Sequence, residues 1–92
     1  MDRGALEERL GAEFDASEGG PRAVSRQARD LADAGLVEAD LGHPLTVETV
    51  VEDLADAPDG YTAAERWNWW LGALDLSHGG YLRFQVREDL IE

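Results

Sequence analysis

TAAERWNWWLGALDL, residues 62–76, is the stretch on which the fold turns. Thr62 and Glu65 stand three apart ahead of an apolar run. That is a capping box, in which the Thr hydroxyl takes an amide of the first turn and the Glu reaches back to the cap. It predicts a helix from about residue 62 to Leu76. Trp67, Trp70, Leu71 and Leu74 recur at helical spacing as one apolar stripe, and Trp69, Ala73 and Leu76 form a second beside it. At about 100° per residue, Trp69 lies about 100° from Trp70 and about 200° from Trp67. The three indoles therefore cannot share a face. A helix apolar around most of its circumference belongs at the centre of a fold. Trp67 and Trp70 are expected in the core, and Trp69 is expected to meet a second surface, either the rest of the domain or a partner.

Outward from this helix, Gly79-Gly80 is a stop signal. YLRFQVR (81–87) then alternates, with Leu82, Phe84 and Val86 on one side and Arg83, Gln85 and Arg87 on the other. Period two predicts a strand. Upstream, Val47, Val50, Val51 and Leu54 stand at i, i+3, i+4 and i+7, with Thr46 as N-cap, so periodicity predicts a helix despite the valines' modest propensity. Leu6, Leu10 and Phe14 mark a first helix over about 2–14. DASEGG (15–20) breaks it. Pro21 restarts a helix to Ala34 with Val24, Ala28 and Leu31 on its packed side, and Gly35 fits a left-handed cap. Residues 36–41 alternate weakly and read as a second short strand before the Gly42-His43-Pro44 turn. The predicted fold class is α+β and mostly helical: about four helices with a short C-terminal strand that can pair with residues 36–41. The 92 residues suit one small domain, with 88–92 as a loose tail.

Composition adds a habitat. Asp and Glu number 20, and the eight basic residues are all Arg, giving a net charge of -12. There is no Lys, and Ile occurs only at Ile91. A GC-rich genome would favour Arg over Lys but would not supply the acid. At about 1 M salt the Debye length falls to about 3 Å, so exposed carboxylates barely repel one another. The sequence therefore reads as an acidic protein of a high-salt cytoplasm. Because the charge reports habitat, it does not exclude nucleic acid as a partner. No apolar run approaches the roughly 20 residues of a membrane span. The start, MDRGALEERL, does not read as a signal peptide. With no Cys, neither disulfides nor thiolate chemistry can form.

Few constellations carry chemistry. Ser77-His78 are adjacent, an arrangement that rarely gives nucleophile–base geometry. Asp40 and His43 are too few for a metal site. No GxSxG, HExxH or phosphate-cradling glycine loop is present. A non-enzymatic chain without metal or cofactor is expected. Arg22, Arg26 and Arg29 share one helical face at i, i+4 and i+7. They read either as a phosphate-contacting stripe or as a solvated face neutralised by Glu18, Asp30 and Asp33.

Two resemblances follow from these strings. ERWNWWLGALDLSHGGYLRFQV, with the preceding ARDLADAGL, resembles a set of small acidic haloarchaeal proteins without assigned function, from Arg22 onward. It implies salt adaptation and carries over no activity. AVSRQARDLADAGLVE looks like the recognition helix of winged-helix regulators, which would place Ser25, Arg26, Gln27 and Arg29 at base-reading positions. However, only one helix stands upstream, where such folds have two. The sequence thus leaves two expectations. The first is a protein-interaction or assembly module, self-association through the C-terminal strand included, with Trp69, Tyr81, Arg83, Gln85 and Arg87 as candidate interface. The alternative is a nucleic-acid-binding module using Arg22, Arg26 and Arg29.

Overall fold

In a computed structural model that describes residues 1–14 and 20–87, the chain forms five α-helices and a short 3-10 turn. These are α1 (Arg3–Glu13), α2 (Gly20–Ala34), α3 (Leu36–Leu41), α4 (Val47–Ala55), α5 (Ala63–His78) and the turn Leu82–Phe84. The break expected at 15–20 falls largely outside the described residues, as do the tail 88–92 and Glu18. α1, α2, α4 and α5 surround one core. Leu6 and Leu10 enter it from α1, Val24, Ala28 and Leu31 from α2, Val50 and Leu54 from α4, and Trp67, Leu71 and Leu74 from α5. Each set follows the spacing read from the sequence.

The caps explain the boundaries. Asp2 accepts from the Ala5 amide to open α1. Thr46 accepts from Thr49 to open α4. Thr62 and Glu65 complete the capping box at α5: the Glu65 amide donates to the Thr62 hydroxyl at 3.2 Å and the Thr62 amide to the Glu65 carboxylate at 2.9 Å.

The α+β expectation is wrong, because no strand exists among the described residues. Residues 36–41 form α3, held between Gly35 and Gly42, both left-handed at φ 73° and 79°. In six residues the i, i+4 pair Val37/Leu41 fits a helix as well as an alternation fits a strand. The two flanking glycines supply the positive φ that starts and stops that turn.

The segment read as the C-terminal strand, Tyr81–Arg87, is a 3-10 turn followed by extended backbone. Its alternation was real but its partner is not a strand. The turn satisfies two amides internally, Phe84 to the Tyr81 carbonyl and Gln85 to the Leu82 carbonyl. Side chains of α5 bond further backbone groups that a ladder would have bonded. The Tyr81 amide donates to Asp75 Oδ1 at 3.2 Å, and the Phe84 carbonyl accepts from Trp67 Nε1 at 2.9 Å. The turn also resets the faces. At three residues per turn, Tyr81 and Phe84 fall on the same side. Tyr81 is thereby fully buried, and Leu82, expected inward, is 49% exposed. The strand edge expected to carry assembly is therefore not present in this segment.

Candidate functional site

The W-N-W-W string of α5 divides its work among four side chains. Trp67 is fully buried, donates to the Phe84 carbonyl, and meets Trp70 with ring centroids 5.4 Å apart at 45°. A tilted aromatic pair of this kind contributes about 0.5–1.5 kcal/mol beyond area burial. Asn68 lies a third of a turn away, facing the C-terminal segment. Its Nδ2 donates to the Val86 carbonyl at 2.8 Å and its Oδ1 accepts the Val86 amide at 2.8 Å. One carboxamide thus makes, for one residue, the two bonds a neighbouring strand would make. Trp70 is buried. Trp69 is 38% exposed.

Trp69 is not alone outside. Ala73 is exposed and Leu76 is 90% exposed, and the three fall within an arc of about 60° on the outer side of α5. Beyond the Gly79-Gly80 turn, Leu82 is also exposed. Among the described residues, Trp69, Leu76 and Leu82 are the exposed large apolar side chains. Single exposed apolar residues need no explanation, but a ridge of them on one helix does. Arg66, on the neighbouring position of this helix, is pinned inward. Its Nε donates to the Tyr61 carbonyl at 2.9 Å, its Nη1 to the Leu54 carbonyl at 3.0 Å, and its guanidinium lies 4.5 Å from the Phe14 ring centroid.

Of the five residues expected at an interface, Trp69, Arg83, Gln85 and Arg87 are exposed. Arg83 lies over the Phe84 ring, 4.8 Å from its centroid. Tyr81 is misplaced by the sequence reading. It is 0% exposed, and its hydroxyl donates to Asp40 of α3 at 2.8 Å. Leu76, the most exposed apolar residue, was read only as part of the second stripe.

Burial, and then the Asp40 carboxylate that accepts its proton, push the Tyr81 hydroxyl up to about 12. A pKa raised on folding means that this contribution to stability is whole below about pH 10 and is lost as pH climbs through about 12. Absorbance titration of tyrosinate is expected to show one step near pH 12 that Tyr81→Phe removes. A Tyr81→Phe chain that keeps that late step would show that the step does not belong to Tyr81.

The arginine face is built as its spacing implied. Arg22, Arg26 and Arg29 are all exposed on α2. The expected neutralisation is thinner than read. Arg29 reaches Asp33 at only 4.0 Å with both side chains more than half exposed, while Arg22 and Arg26 have no ion-pair partner among the described residues. Ser25 cannot read a base, since it is fully buried and its hydroxyl donates to the Arg22 carbonyl at 2.8 Å. Among the described residues no group of three or more metal-ligating side chains occurs, and no helix is long and apolar enough to cross a membrane.

Fold and surface together define a small helical protein whose tryptophan-rich helix both fills the core and presents an apolar ridge outside it. The chain belongs to the WNWW domain family, whose model matches residues 1–75. The four letters of that description stand here at Trp67, Asn68, Trp69 and Trp70. The match ends before the segment that Trp67 and Asn68 hold. No curated protein and no solved structure matches the chain.

Proposed function

We propose that this chain is a non-enzymatic protein-interaction module of a high-salt cytoplasm, with the outer face of α5 as its contact surface. The observation that carries this reading is the ridge of Trp69 and Leu76, left 38% and 90% exposed on a helix whose other large apolar side chains are buried. A Leu that is 90% exposed and a Trp that is 38% exposed, at i and i+7, do less for this fold than their size allows. Covering them with a partner would remove apolar area from water at roughly 25 cal/mol per Å². Aromatic side chains of this kind are common anchors of protein contacts. High salt strengthens such burial and screens the twenty carboxylates around it.

A second reading rests on Arg22 and Arg26, which are exposed and without ion pairs among the described residues. A basic stripe on one helix is the footprint of a phosphate-contacting surface. The two readings separate in one experiment. A photo-cross-linking residue is placed at Leu76, at Arg26, or at exposed Glu52 of α4 as a control, in cells or lysate kept at native salt. Protein adducts from position 76, absent from 52, support the contact-face reading. Nucleic-acid adducts from position 26 with none of protein from 76 would replace it by the second.

The salt reading has its own check. The melting temperature by circular dichroism is expected to rise as salt increases from tens of millimolar to above 1 M, beyond the range in which Debye screening alone still changes much. A melting temperature that is flat or falls would remove the high-salt habitat from the proposal.

A further inference from the structure

The face proposed above has three features that together choose its occupant, and the inference rests on that reading. The first is charge. From Arg66 to Arg87 the chain holds one carboxylate, Asp75, against three arginines, and the other 19 of its 20 acids lie elsewhere. Asp75 is engaged by the Tyr81 amide and stands about 120° round the helix from Trp69. In a molecule of net charge -12, the acids of the helix that carries the ridge are Glu65, one turn ahead of Trp69, and the engaged Asp75.

The second is shape. Trp69 and Leu76 stand equally far on either side of the Gly72–Ala73 peptide, about 5 Å along the axis each way. The order large, small, large is complementary to itself when one copy is turned end for end. A two-fold axis through Gly72–Ala73 places Trp69 of each copy against Leu76 of the other, and the small residues at the centre let the helices approach closely. Such a contact is isologous, as a closed dimer requires. It also brings the start of one α5, with Glu65, toward the end of the other, where Arg83 is exposed.

The third is Gly72 itself. It lies mid-helix, where glycine costs about 0.5–1 kcal/mol relative to alanine. A Cβ built there meets nothing within 4 Å among the described residues, so none of them requires its absence. Gly11 of α1 is equally open, but its neighbours one turn ahead are Glu7 and Glu8 and the large apolar group one turn on, Phe14, is buried in the core. At Gly72 the missing side chain makes sense if a second backbone comes close.

From these we infer that α5 is a homodimer interface: two copies pack their α5 helices antiparallel about Gly72–Ala73, burying Trp69 and Leu76. The contact is apolar, so it strengthens with salt, which also screens the acidic faces turned away from it.

Sedimentation of the full chain at native salt, from micromolar to millimolar concentration, tests this with two variants. Leu76→Glu replaces a side chain that is 90% exposed, so it leaves the fold intact and is expected to give a monomer. Gly72→Ala is expected to raise the melting temperature of the dilute chain by a few degrees. The same substitution is expected to weaken the dimer about tenfold or more, because its Cβ meets the partner's backbone. Stabilisation with loss of association is a pair of effects that a merely structural glycine would not give. A dimer that survives Leu76→Glu, or that is unaffected by Gly72→Ala, overturns the assignment. A wild type that stays monomeric to millimolar concentration overturns self-docking. Cross-links from position 76 to a different protein would then still support the contact-face reading, and their absence would remove that as well.

Discussion

Trp67→Ala is expected to cost about 4–8 kcal/mol, a large part of the stability of the chain. Truncating a fully buried Trp costs about 3–5 kcal/mol in lost transfer energy and cavity. Here it also strips the Phe84 carbonyl of the indole N–H, and an orphaned buried acceptor costs about 1–3 kcal/mol. A chain of 92 residues has about 5–14 kcal/mol in all, so the loss takes a large part of its stability. Trp67→Phe separates the two terms. It keeps most of the aromatic volume and removes only the donor, so its cost should fall to about 1–3 kcal/mol. Denaturant unfolding of both variants gives the comparison. Equal losses for Phe and Ala would mean that the hydrogen bond, rather than the packing, dominates at this site.

Asn68→Asp is expected to free the C-terminal segment while the helices remain folded. The carboxylate can still accept the Val86 amide, but it cannot donate to the Val86 carbonyl and instead sets negative charge against it. The expected loss at neutral pH is about 2–3 kcal/mol, from one broken bond and one unsatisfied buried carbonyl. Acidification through about pH 4 restores the donor and should recover part of it. The local readout is trypsin cleavage after Arg83, which should accelerate in the variant while helical ellipticity changes little. Unchanged cleavage would show that the segment is held by Phe84 and Val86 burial without the carboxamide.

Both substitutions bear on how much could be read from the chain alone. The helices α4 and α5 were legible because period and cap agree: Val50, Val51 and Leu54 behind Thr46, and the Trp67/Trp70/Leu71/Leu74 stripe behind Thr62 and Glu65. That Trp69 points away from Trp67 was legible too, since it follows from the angle between indoles; whether the rest of the domain covers it was not. Tyr81–Arg87 was not. Alternation reports which side chains are buried, and for Phe84 and Val86 it reported correctly. It does not report what bonds the backbone, which here is the side chains of Trp67, Asn68 and Asp75. Asn68 and Asp75, the polar residues between the apolar stripes of α5, are the docking strip for this segment. Tyr81 escaped for a related reason. Only the 3-10 turn places it beside Phe84, and only the helical form of residues 36–41 brings Asp40 to its hydroxyl. The ridge itself was half legible: the sequence pattern gave Trp69, Ala73 and Leu76 one stripe, but whether the domain would cover it depended on tertiary packing.

The central claim is that the W-N-W-W string holds the core with Trp67 and Trp70 and leaves Trp69 for contact with another molecule. Unfolding free energies of Trp67→Ala, Trp69→Ala and Trp70→Ala, measured in one denaturant series at concentrations low enough to dissociate any assembly, test it most directly. The account expects losses of about 3 kcal/mol or more at Trp67 and Trp70, and about 1–1.5 kcal/mol at Trp69. A loss at Trp69 as large as that at Trp70 would contradict it, by showing that the third indole belongs to the fold and not to its surface.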